Sequence, residues 1–132
     1  MTETATREAK AAELEAGLAA HYCSDNYYAH WTRRLKYTDG VKYLAEKAGA
    51  YWLIDAIASY QGQKRLRTER LQEFQLWGLK VDVDHTPMAV LTCRQDTDYK
   101  PVVTQEIEYT DFPLDSIELY VEGGVLLLKS EH

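Results

Sequence analysis

The chain has 132 residues, of which 45% are hydrophobic and 27% charged, and its formal net charge is −6. These values fit one domain over residues 1–132 with a real core, and they exclude a disordered chain. No apolar run reaches membrane-span length, and the opening MTETATREAKAAELEAGLAA lacks the charged-then-apolar order of a secretory signal, so the expected setting is cytoplasmic with no membrane contact.

The charge is unevenly spread: residues 1–70 carry eleven Lys/Arg against nine Asp/Glu, and residues 71–132 carry four against twelve. Phosphate backbones require cationic neutralisation, so the acidic half disfavours direct nucleic-acid binding through itself. Cys23 and Cys93 lie seventy residues apart without metal-ligand spacing and read as reduced thiols.

In chain order, residues 1–9 read as a frayed start and residues 10–62 as helical. From about Thr6 to Tyr22, the residues Ala11, Leu14, Leu18 and Tyr22 share one helical face. Ser24-Asp25-Asn26 reads as a turn or helix cap. Arg33, Arg34 and Lys36 form a short basic run beside the aromatics Tyr27, Tyr28 and Trp31. That pairing can stack and neutralise single-stranded nucleic acid, although core packing is the commoner use of such aromatics.

Tyr37 to Tyr60 is the stretch around which the chain is organised. Thr38 or Asp39 can cap a helix start, and Val41, Leu44, Ala45 and Ala48 recur at helical spacing. Gly49 interrupts, and Ala50, Leu53, Ile54, Ile57 and Ala58 resume, which predicts two helices or one bent helix. Ala50 to Tyr60 carries one charge in eleven residues, so this segment with its Trp52 is expected in the core. That one charge, Asp55, must face out, pair with Ser59, Tyr51 or a basic side chain, or serve as a perturbed acid in a pocket. Gly62 to Arg70 is a basic surface segment with four cations and one anion; such cations can contact phosphate, although a solvated loop or helix end is their commoner use.

Residues 71–130 switch to a period of two. Gln72 to Asp84 reads as a strand with a slip of phase, and so a bulge, at Trp77-Gly78. Met88 to Arg94, Val102 to Tyr109, Ile117 to Glu122 and Val125 to Leu128 follow, the last two joined by the hairpin signal Gly123-Gly124. The fold expected is α+β, with N-terminal helices packed on one face of a C-terminal antiparallel sheet of four to five strands. The solvent face would then collect Asp82, Asp84, Glu106, Glu108, Glu118 and Glu122. This is a candidate surface for a basic host or element protein, with the oligomeric state left open.

Other constellations are weak. His30, Asp39 and Asp55 form an alternative pocket for a small enzyme, but His21, His30, His85 and His132 make no metal motif, so neither metal nor cofactor is expected. Cys23 lacks the flanking pattern of papain-like nucleophiles, and no phosphate-binding glycine loop or GxSxG is present. A binding role is therefore favoured over an enzymatic one.

The segments YTDGVKYLAEKAGAYWLIDAIASYQ, FQLWGLKV, EYTDFPL and LYVEGGVLLLKSEH resemble a family of small uncharacterised bacterial proteins carried mainly on plasmids, phages and integrative elements. The resemblance runs from about Leu18 to His132 and brings no catalytic residues. It implies a mobile-element accessory role; together with the small size, the lack of catalytic motifs and the acidic face, this favours protein–protein binding, such as an anti-CRISPR-like inhibitor of a host defence system. The alternatives are a nucleic-acid-associated module using the basic N-terminal half, or the small enzyme.

Overall fold

The structure is a computed structural model that describes residues 2–21, 26–82, 88–107, 110 and 112–131, with side chains of 2–7 and 82 excepted. Tyr22, Cys23, Ser24, Asp25, Asp84, His85, Glu108, Tyr109, Asp111 and His132, named above, lie outside the described residues.

Helix α1 spans Thr2–Ala19, beginning inside the stretch expected to fray. Strands β1 (Tyr27–Ala29) and β2 (Lys36–Thr38) follow, then α2 (Asp39–Ala48) and α3 (Tyr51–Tyr60). Thr38 is the N-cap of α2, its hydroxyl accepting from the Val41 N–H at 3.3 Å, and Asp39 stands in the first turn where a carboxylate suits the helix dipole. Gly49 has φ 62° and ψ 38°, the left-handed geometry that ends α2, so the stretch is two helices rather than one bent rod.

The C-terminal half starts with the short helix α4 (Glu69–Glu73), capped by Thr68, where a strand was expected to begin. Strands β3 (Phe74–Asp82), β4 (Met88–Arg94), β5 (Val103–Ile107), β6 (Ser116–Glu122) and β7 (Val125–Leu128) follow. Among the described residues the sheet has seven strands in the order β1-β2-β7-β6-β3-β4-β5. It is mixed rather than antiparallel, because β2 pairs parallel with β7 while the other neighbours are antiparallel. The four to five strands expected miss β1 and β2, whose three residues each are too short for a period of two to register.

No bulge interrupts β3: its pairing with β4 and β6 runs continuously through Trp77 and Gly78. The apparent slip has another origin. Gln75, Trp77, Leu79 and Val81 turn to the helix side, while Leu76 lies buried on the opposite face, so apolar residues occupy both parities. There Leu76, Tyr120 and Leu127 are register neighbours, and the Phe74 and Tyr120 rings lie 5.1 Å apart.

The helix-side core joins Val41, Leu44, Leu53, Ile54 and Ile57 to Trp77, Leu79, Leu91, Cys93, Leu119 and Leu126. Trp52 is only half-buried against this core, whereas Trp77 is 1% exposed. Gln75 is buried within it and fully satisfied. Its Nε2 donates to Gln61 Oε1 and Leu71 O, and its Oε1 accepts from Gln61 Nε2 and from Trp77 Nε1 at 2.8 Å. This amide pair fastens the end of α3 to β3. Cys93 is a free, buried thiol pushed up to about 12 by desolvation, so it stays protonated and is a poor nucleophile.

The last described turn folds back onto α2. Glu131 accepts from the Thr38 hydroxyl at 2.6 Å, from the Leu128 N–H at 3.0 Å and from the Gly40 N–H at 3.3 Å. A Cβ on Gly40 would meet Leu128 Cδ1 at 2.6 Å, so the Thr-Asp-Gly-Val segment supplies both the cap and the space for this carboxylate.

Candidate functional site

Between β1 and β2 the chain makes a tight loop, closed by His30 N–H to Leu35 O (2.9 Å) and Arg33 N–H to His30 O (2.8 Å). Leu35 anchors it in the core, 2% exposed. Arg33 has φ 63°, a left-handed conformation that costs a non-glycine residue about 1–3 kcal/mol and persists only where its surroundings enforce it.

The enforcing group is His30, itself buried. The Thr32 N–H donates to Nδ1 at 3.2 Å, so Nδ1 is the unprotonated nitrogen and Nε2–H donates to Asp55 Oδ1 at 2.7 Å. The Thr32 hydroxyl also donates to Nδ1, at 2.9 Å, and accepts from the Arg34 N–H. A hydroxyl, an imidazole and a carboxylate thus stand in line, but two Thr32 donors occupy the only lone pair a general base would use. The arrangement braces the loop against α3. Asp55 therefore finds its partner in His30, while Ser59 bonds to Ala56 O and Tyr51 to Glu46. Of the sequence trio, His30 and Asp55 meet, whereas Asp39 accepts from the Asn26 N–H and from the Tyr28 hydroxyl at 2.8 Å. That bond raises the Tyr28 phenol above its usual value. No cluster of metal ligands occurs among the described residues.

Beside this loop lies a cleft of about 490 Å³ lined by Arg34, Gln61, Gly62, Arg67, Gln72, Gln75 and Gly124. Two basic segments converge there. The Arg34 guanidinium lies over Gly62, where a Cβ would come within 2.8 Å of its Cζ. Arg67 Nη2 donates to Gly62 O at 2.9 Å. Among the described residues no carboxylate lines the cleft and neither guanidinium is ion-paired. Residues 30–36 and 61–68 together hold six Lys/Arg and no Asp/Glu. Each segment was legible as basic; their convergence on one glycine was not, because it depends on how α3 ends against β3 and on where the β1–β2 loop is braced.

The register places Glu106, Glu118 and Glu122 on the sheet face opposite the helices, while the side chain of Asp82 and the residues Asp84 and Glu108 lie outside what the structure describes. Lys36, Lys80 and Arg94 share that face by the same parity. Glu118 accepts from Lys129 Nζ at 3.1 Å, a bond that raises the lysine above its usual value. The face carries both signs of charge, and beside Glu106 it exposes Val90 and Met88.

Fold and surface together define a small α+β protein with one helix-covered sheet face, a braced aromatic loop and a carboxylate-free basic cleft. The chain belongs to the DUF6876 family, a family of unknown function, whose family model matches residues 12–132. No curated protein and no solved structure matches it. Among the described residues no helix is long and apolar enough to cross a membrane.

Proposed function

We propose that the protein is a nucleic-acid-associated binding module that holds a phosphate backbone in the Arg34–Arg67 cleft. One observation carries this reading: two guanidiniums from separate basic segments converge at Gly62, without carboxylate neighbours, on an open cleft. Arginine forks match phosphate oxygens in geometry as well as charge. The net charge of −6 does not oppose this locally, since the screening length at physiological salt is about 8 Å. An accessory role on a plasmid, phage or integrative element, inhibition of a host defence system included, belongs to the same proposal and is supported by the sequence resemblance.

The test is fluorescence anisotropy with labelled oligonucleotides at about 50 and about 200 mM salt. Each phosphate contact makes the affinity fall about threefold over that range. Replacing both Arg34 and Arg67 by alanine weakens binding and flattens the salt dependence by about two contacts. Binding that is unaffected by the double change removes the cleft from consideration.

The exposure of Met88 and Val90 beside Glu106 favours a second reading, in which the open sheet face docks a basic protein. Glu106→Lys then slows association with that partner and reduces its salt sensitivity. The fold is unaffected, since exposed substitutions seldom shift stability by more than about 0.5 kcal/mol. A rate unmoved by the reversal at either salt concentration excludes this face.

A further inference from the structure

We infer that the cleft takes single-stranded rather than duplex nucleic acid, with Trp31 as the platform on which an unpaired base stacks. This rests on the phosphate-backbone reading above and names the form of the ligand.

Trp31 is 81% exposed, more than any other large hydrophobic side chain among the described residues. A bare indole costs solvation free energy, and on a floppy loop it would fold down onto the surface. This loop is not floppy. His30 beneath it is 5% exposed and bonded to Asp55 of α3, two backbone hydrogen bonds close the turn, and Leu35 is sunk in the core. The His30 and Trp31 rings lie 5.3 Å apart at 34°, so the imidazole also supports the indole from one side. The aromatic face is therefore presented in advance of binding, which limits the ordering cost of association.

Position supplies the link to the cleft. Trp31 is three residues from Arg34, so their Cα atoms are at most about 11 Å apart, a reach that a short stretch of unstacked strand covers. Phosphates on the Arg34–Arg67 pair and a base on Trp31 reproduce the division of labour by which single strands are held: cations track the backbone while an aromatic takes the π-face. A duplex keeps its bases stacked on one another and offers only their edges, so Trp31 would have no face to meet.

The experiment uses the full chain with a fluorescein-labelled oligothymidylate of about twelve nucleotides, a duplex of the same length, and inorganic polyphosphate as competitor. The single strand binds more tightly than the duplex and quenches tryptophan fluorescence. Trp31→Ala weakens strand binding roughly 5- to 150-fold, the range for one base–aromatic stack, and abolishes most of the quenching. It leaves polyphosphate affinity unchanged, and Trp31→Phe retains most of the strand affinity. An unchanged melting temperature confirms that the variants fold. A Trp31→Ala protein that binds the strand like the parent, or a parent that binds duplex as well as strand, overturns stacking; the phosphate reading then stands if the Arg34 and Arg67 changes still weaken binding. If strand, duplex and polyphosphate all fail to bind, both readings fall.

Discussion

Trp77→Ala lowers the unfolding free energy by about 3–5 kcal/mol, the range for deleting a large buried aromatic. The indole is 1% exposed at the centre of the sheet, opposite Cys93 on β4 and Leu119 on β6. Its ring lies 5.7 Å from that of Tyr60, and its N–H satisfies Gln75. Truncation leaves a cavity and also strips one donor from a buried amide acceptor, a second cost that a purely apolar site would not carry. Trp52→Ala costs less, because Trp52 is half-buried at the edge of the same core. Urea unfolding of both variants checks the order: the Trp77 midpoint falls furthest with an unchanged slope. A larger loss at Trp52 would place the centre of the core in α3 instead.

Glu131→Ala has the next largest effect, about 2–3 kcal/mol. One carboxylate receives the Thr38 hydroxyl and the Gly40 and Leu128 N–H groups, and hydrogen bonds to charged acceptors are worth about 1.5–3 kcal/mol each before they overlap. The anion also sits at the positive end of α2. Thr38→Val alone removes a cap worth about 1 kcal/mol. In a double-mutant cycle the two losses are less than additive, because they share the hydroxyl–carboxylate bond. Full additivity, or a Glu131 loss below about 0.5 kcal/mol, would show that the final turn does not hold α2.

Much of the architecture was legible where the pattern is local and long. The strands Met88–Arg94 and Val125–Leu128 have the bounds expected of them, the second from the hairpin signal before it, and the joint at Gly49 follows from a glycine between two apolar stripes. What escaped was non-local. Strands β1 and β2 exist because β7 offers β2 an edge, and no window of sequence contains both. Leu76 disguised the phase of β3, because an apolar residue on the outer face looks like a shift of register. The apolar helix α3 was expected to be buried on most sides, and Tyr51, 43% exposed, lies on the side left open. At the candidate site the cations were visible as residue types, whereas the tautomer of His30, the brace to Asp55 and the meeting of Arg34 with Arg67 are properties of the folded chain. Glu106, Glu118 and Glu122 share one face by register, but their cationic neighbours arrive from strands that the alternation did not relate to them.

The parallel contact of β2 with β7, and the return of Glu131 to α2, have a consequence for synthesis in the cell. The helices emerge from the ribosome first, with Val41, Leu44, Ile54 and Ile57 facing outward. Their sheet partners Leu119, Leu126 and Leu128 follow only after several seconds at ordinary elongation rates. A nascent chain in that interval carries an unpaired strand and an uncovered apolar surface, the kind of species that holdase chaperones retain. Gly124, one wall of the basic cleft, also comes from that last hairpin. The cleft is therefore complete only once that hairpin has docked, and partly translated chains lack it.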